Sequence, residues 1–322
     1  LVSKFRLASF SWNIFVRIAI LGNQGSWYCE QLSQATLARG HKPFKMEFHD
    51  LASHLSGTHQ ERSFHYDAEH TPVELNGFDC LIIRTMPPGS LEQVIFRMDL
   101  LGRLEQAGVT VFNSPRAIEC AVDKYLTTSR LAAAGLPVPA TAVCESSEAA
   151  MQHFEQLGGD VVVKPLFGSE GRGIFRISDP DLAYRSFRTL ERTQAVIYLQ
   201  QYISHPGYDL RILILNGNLI GAIRRHGNND FRTNISRQGH AELYHPTDRE
   251  VELAIRAAEL THSEFAGVDL LSPTHAPEER YLLEVNAVPG WRGFQSATNV
   301  DVASLVIEYL EQKRNNMGSS QH

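Results

Sequence analysis

Short apolar runs that alternate with longer segments of helical period constrain the fold of this chain more than any other feature. "VRIAILG" (16–22) is such a run, closing at Gly22. "SWYCEQLSQATLARG" (26–40) follows with apolar residues at helical spacing and Gly40 placed to end the helix. The unit recurs. "FDCLIIR" (78–84) predicts a buried strand, "SLEQVIFRMDLLGRLEQAG" (90–108) a helix ending at Gly108, and "VTVFN" (109–113) the next strand. Alternation of this kind predicts an open α/β sheet up to about residue 115. Between the two units, "HDLASHLSGTHQERSFHYDAEHTPVELNG" holds five of the 14 histidines but little periodicity. No pair of them falls on an evident strand or helix face, so the segment predicts a polar surface excursion, not a metal site.

A change of subdomain is expected near residue 120. "DKYLTTSRLAAAGLPVPATAV" (123–143) predicts a helix stopped by Gly135 and then a Pro-x-Pro entry into a strand. "DVVVKPLFGSEGRGIFRIS" (160–178) predicts two strands joined by a Gly-rich loop, "VIYLQQYI" (196–203) another strand, and "DLRILILNGNLIGAIRR" (209–225) a hairpin turning at Asn216-Gly217. "RAAELTHSEFAG" (256–267) predicts helix. "VDLLS", "YLLEVNAVPG" and a final helix beginning at Asp301 complete the pattern. Residues 1–15 are expected to form an extension, and residues 313–322 a disordered tail.

With 43% apolar and 20% charged residues in 322, the chain has the material for two or three subdomains with real cores. A net charge of -6 provides no global basic field, which argues against nucleic acid as the main partner. Cys29, Cys80, Cys120 and Cys144 lie far apart without a Cys-x-x-Cys pair, as expected of reduced thiols in a cytoplasmic protein without a structural metal. No stretch reaches the about 18 uninterrupted apolar residues that a membrane-spanning helix needs, so no membrane partner is expected.

The residues that carry chemistry are concentrated after Asp123. Lys164 ends an apolar strand, and four residues on a loop opens with Gly168, Gly171 and Gly173. Small residues let backbone N–H groups approach an anion that a nearby ammonium neutralises, so a phosphate cradle is one reading and a plain hairpin loop the other. Lys124 is a second candidate phosphate ligand. Asp209 and Arg211 share a strand face, and "RRHGNNDFRTNISRQG" adds Arg224, Arg225, Arg232, Asn234 and Arg237, whose guanidinium groups suit carboxylates and phosphates unless they merely line a solvated face. In "YLLEVNAVPGWRG" (281–293), period 2 points Glu284 and Asn286 to one side, and "GVDLL" brings Asp269 from a neighbouring strand. Two carboxylates and an amide oxygen are hard donors suited to Mg²⁺ that bridges nucleotide phosphates.

Taken in order from Asp123 to Glu311, "DKYLTT", "VVVKPLFGSEGRGI", "LQQYI", "YDLRILIL", "FRTNISRQG", "GVDLL" and "LLEVNAVPGWRGFQSATNVDVASLVIEYL" resemble the ATP-grasp superfamily, and within it the RimK-like α-L-glutamate ligases. The resemblance implies an α/β ATP-grasp fold. A Rossmann-like pre-ATP-grasp domain (16–120) would precede two α+β subdomains, 121–200 and 201–312, that clamp ATP. It also implies roles by position. Lys124 and Lys164 would bind phosphate, and the loop Gly168, Ser169, Glu170, Gly171, Gly173 would be the mobile flap. Gln201 and Tyr202 would form the adenine hinge, with Gln201 in place of a frequent Glu, and Asp209 would contact the nucleotide. Arg232, Thr233 and Asn234 would lie beside nucleotide and metal. Asp269, Glu284 and Asn286 would hold Mg²⁺, with two ions expected and Mn²⁺ as an alternative. Arg211 and Arg232 would act catalytically, Arg211 near the transferred phosphoryl group. "SPTHAPEER" is a longer hairpin loop than the family's usual one.

The reaction implied is activation of an acceptor carboxylate by MgATP and attack on the acyl phosphate by the amine of glutamate or a similar amino acid. The acceptor is expected to be a small molecule with a carboxylate, a pterin-type coenzyme first, with Trp291 and Arg292 beside it. The alternatives are a protein or peptide C-terminus as acceptor, a small-molecule kinase, and a non-catalytic nucleotide-binding module. A homo-oligomer is expected.

Overall fold

The computed structural model describes residues 16–57, 61–168, 171–227 and 240–319, with side chains to 316. The first unit runs β1 (Arg17–Leu21), α1 (Trp27–Ala38), β2 (Lys42–Met46), β3 (Leu51–Leu55), β4 (Glu61–Tyr66), β5 (Pro72–Glu74), β6 (Cys80–Ile83), α2 (Leu91–Gln106), β7 (Thr110–Phe112) and α3 (Pro115–Val122). Its main sheet is parallel, in the order β2-β1-β6-β7, as the strand–helix alternation predicts. Both helices of that alternation begin on a serine: Ser26 caps α1, and Ser90 with Gln93 forms a capping box on α2.

The histidine-rich segment departs from expectation. It folds into a separate antiparallel sheet, β3-β4-β5. Its periodicity is hidden because Ser63 and His65 are the residues of β4 that face inward. Burial lowers the pKa of His65, with Asp50 at 3.6 Å opposing the shift.

The central unit runs α4 (Lys124–Ala133), β8 (Thr141–Cys144), α5 (Ser147–Gln156), β9 (Val161–Lys164), β10 (Phe175–Ile177), α6 (Pro180–Arg192) and β11 (Ile197–Gln201). Its sheet has the order β10-β9-β11-β8. The last unit holds β12 (Tyr208–Leu215), β13 (Asn218–His226), β14 (His240–Tyr244), α7 (Asp248–Leu260), β15 (Phe265–Leu271), β16 (Tyr281–Asn286), α8 (Arg292–Thr298) and α9 (Val302–Ser319), with the antiparallel order β14-β13-β12-β15-β16. The β12-β13 hairpin turns at Asn216 and Gly217, both at positive φ, as Asn-Gly predicts.

Two boundaries differ from the sequence reading. The stretch 256–267 is not one helix. Thr261 turns its hydroxyl onto the carbonyls of Ala257 and Ala258, His262 takes a positive φ, and β15 starts at Phe265. At the other end α9 continues to Ser319 across the expected tail. Lys313 binds Glu264 at 2.6 Å and Arg314 binds Asp79 at 2.7 Å, so the last turns gain partners that the sequence does not reveal.

One side of the five-stranded sheet is apolar. Leu210, Ile212, Val268, Leu270, Leu282 and Val285 pack there with residues of α4 and α7. The opposite side is left for chemistry. Asn113, 2% exposed, joins the first unit to this sheet by donating to Phe265 O (2.6 Å) and Ala287 O (2.5 Å) and accepting from Phe265 N (2.9 Å). Asn113→Ala leaves three buried backbone groups without partners. A loss of about 3 kcal/mol is expected, read as a lower urea midpoint at unchanged m-value.

Candidate active site

The sheet register assembles the charged groups in a row. Asp209 on β12 faces Arg225 on β13, Arg211 faces Asp269 on β15, and Asp269 faces Glu284 on β16. A register shift between Asp269 and Leu270 makes the last pairing: Leu270 pairs with Leu282, which leaves Leu283 as an extra residue and sets Glu284 opposite Asp269. The bulge also lets consecutive residues, Leu283 and Glu284, line the same cavity.

The two buried carboxylates are held by guanidinium groups. Arg211 grips Asp269 through two bonds of 2.8 and 2.7 Å, and Arg225 grips Asp209 through bonds of 2.8 and 2.5 Å while reaching Asp269 at 2.9 Å. Burial alone would raise the pKa of Asp269, but Arg211 and Arg225 outweigh it and hold the carboxyl below its usual range. Burial likewise opposes the charge on Arg225, and Asp209 and Asp269 overcome it.

A cleft opens between the central sheet and this row. Lys124, Lys164, Asp209, Asp269 and Glu284 line it beside the apolar Val162, Ile174, Ile203, Leu271 and Leu283. A charged end and an apolar slot fit a nucleotide, phosphates at one and base in the other. Lys164 donates to Gln200 Oε1 at 2.6 Å, and Lys124 donates to Gly168 O at 2.9 Å, which ties the start of the Gly-rich loop to the site. Burial lowers both lysines. Lys164 falls to about 8, with Glu284 and Asp269 pulling it up and Lys124 pushing it down, and Lys124 falls against the opposing charges of Glu284 and Asp123.

The structure thus brings Lys124, Lys164, Asp209, Asp269 and Glu284 together, with Arg211 against Asp269. Gln201 and Tyr202 also line the cavity, but their N–H groups donate to Ala140 O (2.8 Å) and Asp160 O (3.0 Å) and so are not free to meet a base. Asn286 stands two register positions from the pair, opposite Gly267, and outside the cavity lining. Gly168 lies at the loop's near end, and Gly171 and Gly173 both take positive φ. Ser169, Glu170, Arg232, Thr233, Asn234 and Arg237 fall outside the described residues. Trp291 is 1% exposed and packs between Tyr28 and Phe265, so it is a core residue and not an acceptor contact. Sequence reasoning passed over Gln200, a polar residue in an apolar strand, the same signal that singled out Glu284; Arg225 was named only as one of a run of arginines, without its partners.

Asp269, Glu284 and Asn286 fit a hard divalent cation by donor type. Among the described residues no group of three or more Asp, Glu, His or Cys is placed to hold a metal, and here the set is two carboxylates and an amide. Such a set leaves positions for water or phosphate oxygens, the mode of Mg²⁺ at nucleotide sites. Because both Asp269 oxygens already accept from arginines, a metal there would share the carboxylate with them.

Comparison with known proteins identifies the family and the fold. Residues 121–310 match the model of the RimK-like ATP-grasp domain, and residues 29–119 match that of the prokaryotic glutathione synthetase N-terminal domain. The ATP-grasp fold therefore defines the class, an ADP-forming carboxylate–amine ligase. The chain belongs to the RimK-like ATP-grasp family. It is 32% identical over 311 residues to the tetrahydromethanopterin:alpha-L-glutamate ligase of Methanosarcina acetivorans, covering 88% of this chain and 95% of that one. It is 31% identical over 300 residues to the ribosomal protein bS6–L-glutamate ligase of Escherichia fergusonii, covering 92% and 96%. The fold matches that of the ATP-grasp ligase PsnB, solved with a precursor variant, Mg and ADP, at a TM-score of 0.72 and 22% identity, covering 94% of this chain and 100% of that one. No helix among the described residues is long and apolar enough to cross a membrane.

Two outcomes follow from the geometry. Only the protonated Lys164 attracts phosphate, so MgATP affinity is expected to weaken as pH rises through about 8, the value set by its burial, and a calorimetric titration across pH should lose that inflection in Lys164→Met. A Cβ at Gly267 would lie 2.8 Å from Pro289 Cβ and 3.7 Å from Arg211 Nε. Gly267→Ala should therefore cut turnover by about tenfold or more while the far-ultraviolet circular dichroism stays native.

Proposed function

We propose that the chain joins L-glutamate to an acceptor carboxylate through an acyl phosphate, and that the acceptor is a pterin-type coenzyme. The observation that carries the reaction is the convergence of Lys124, Lys164, Asp269 and Glu284 on one cavity, with Arg211 bound to Asp269. An acceptor carboxylate oxygen attacks the γ-phosphorus of ATP and ADP leaves. The glutamate amine then attacks the acyl carbon, inorganic phosphate departs, and the amine releases a proton. Carboxylate oxygen is a poor leaving group; phosphate is a good one.

Lys164 and Lys124 offset charge on the β- and γ-phosphates, and Arg211 steadies the acyl phosphate, a task worth about 3 kcal/mol for a well-placed donor. Mg²⁺ held by Asp269, Glu284 and Asn286, as one or two ions, would supply Lewis acidity, with Mn²⁺ as a substitute. Arg232, Thr233 and Asn234 belong to the same nucleotide-side group by their motif.

The coenzyme acceptor is supported by the similarity to the tetrahydromethanopterin ligase. With Trp291 buried, the aromatic available beside Arg292 is Trp27, whose ring lies 5.6 Å from the Arg292 guanidinium at the entry to α1. A protein C-terminus is the second reading, favoured by the nearly equal similarity to the ribosomal-protein ligase.

The test incubates the protein with MgATP, L-glutamate and either tetrahydromethanopterin or a bS6 C-terminal peptide. ADP, phosphate and an acceptor heavier by one glutamyl unit are expected with the coenzyme. Extension of the peptide alone favours the second reading, a phosphorylated acceptor indicates a kinase, and no ADP with any acceptor indicates a binding module. Lys164→Ala should lower turnover about a hundredfold or more.

A further inference from the structure

Arg84 follows β6 and has no part in the reaction as described. It is 8% exposed, and its guanidinium lies against an edge-to-face pair of rings, 4.8 Å from the Tyr28 centroid and 4.4 Å from that of Trp291, the two centroids being 4.9 Å apart. Its one side-chain hydrogen bond among the described residues runs from Nη2 to Pro289 O at 3.1 Å. No carboxylate among the described residues pairs with it, and Arg84 Nε and Trp291 Nε1 are both buried without a partner. Burial lowers its pKa to about 10, so the cation persists at neutral pH.

Folding stability alone does not account for such a residue. A buried charge without a counter-ion and two buried N–H groups without acceptors are unfavourable, and an apolar side chain of similar length would pack against the rings at less expense. What Arg84 provides is a rigid hold on one carbonyl. Its own backbone N–H is fixed to Leu21 O at 2.7 Å, so the hold starts from the parallel sheet of the first unit.

The carbonyl it holds belongs to the turn just after Asn286. Pro289 presses on Gly267, where an added Cβ would come within 2.8 Å of it; Asn286 Nδ2 points at Gly267 O across 3.5 Å; and Arg211 Nε lies 3.7 Å from the same Cβ position. Displacing Pro289 would release the end of β16 and the space beside Arg211.

We propose that Arg84 is a positioning residue for the metal end of the site: by holding Pro289 between the two units it fixes Asn286 and Arg211 relative to Asp269 and Glu284. This rests on the reading of Asp269, Glu284 and Asn286 as metal donors.

The test uses the full chain saturated with ADP and measures free Mn²⁺ by electron paramagnetic resonance. Arg84→Met is expected to weaken Mn²⁺ binding about tenfold, the scale of losing a group that orients a ligand, while ADP binding without metal is unchanged. Arg84→Lys, which keeps the charge and loses the planar fork, should fall between Arg84→Met and the unaltered protein. A role in stability alone would lower the melting temperature and leave Mn²⁺ affinity intact. Unaltered Mn²⁺ affinity in a folded Arg84→Met, or in Arg84→Lys if Arg84→Met does not fold, overturns the proposal. Glu284→Gln, run in parallel, separates the two ideas: Mn²⁺ affinity preserved there rejects the metal assignment, whereas a loss there with none in the Arg84 variants rejects Arg84 only.

Discussion

Asp209 and Asp269 are each 2% exposed, and a carboxylate so deeply buried stays ionised only if cations accompany it. Arg211 and Arg225 are those cations, and they come from the same sheet, so strand register fixes the charge balance. The rest of the site depends on this arrangement. It keeps oxygen anions beside two lysines whose own charges are opposed by burial, and it leaves Glu284 facing both lysines. A cavity built this way is prepared for a ligand that brings negative charge and a cation together, as a metal–nucleotide complex does.

Buried charge is costly, so the surroundings must hold it without slack. The apolar side of the five-stranded sheet does part of this through α4 and α7. The first unit does the rest. Phe112 stacks on Phe265 at 6.3 Å, Asn113 bonds both strands of the β15-β16 pair at one end, and α9 packs back on α1. The strand ends of the first unit therefore lie against the turn that follows Asn286. In an α/β unit those ends are where ligands bind, which suits an acceptor approaching the phosphates from that side.

The parts of the fold legible in the sequence were those with one dominant signal. Glycine-ended helices, the Asn216-Gly217 hairpin and apolar strands bearing a single acid were all of this kind. The three-stranded sheet of the histidine-rich segment was not, because the inward residues of its middle strand β4 are Ser63 and His65, and polar inward residues remove the alternation on which strand recognition relies. The end of α9 was missed because its partners, Glu264 and Asp79, are far away in sequence. In the site, residue types suggested which groups carry chemistry, but the bulge that sets Glu284 opposite Asp269 and the double grip of Arg225 are matters of register. The burial of Trp291 was equally hidden: an aromatic after a Pro-Gly turn reads the same whether it faces a ligand or a core.

Carboxylate activation is the central claim, and trapping the activated acceptor tests it most directly. The acceptor would be incubated with the protein, MgATP and hydroxylamine, with glutamate omitted, and analysed by mass spectrometry. The account predicts the acceptor hydroxamate together with stoichiometric ADP and phosphate, since hydroxylamine replaces the amino acid as the attacking amine. ADP accompanied by a stable phosphorylated acceptor and no hydroxamate would contradict it.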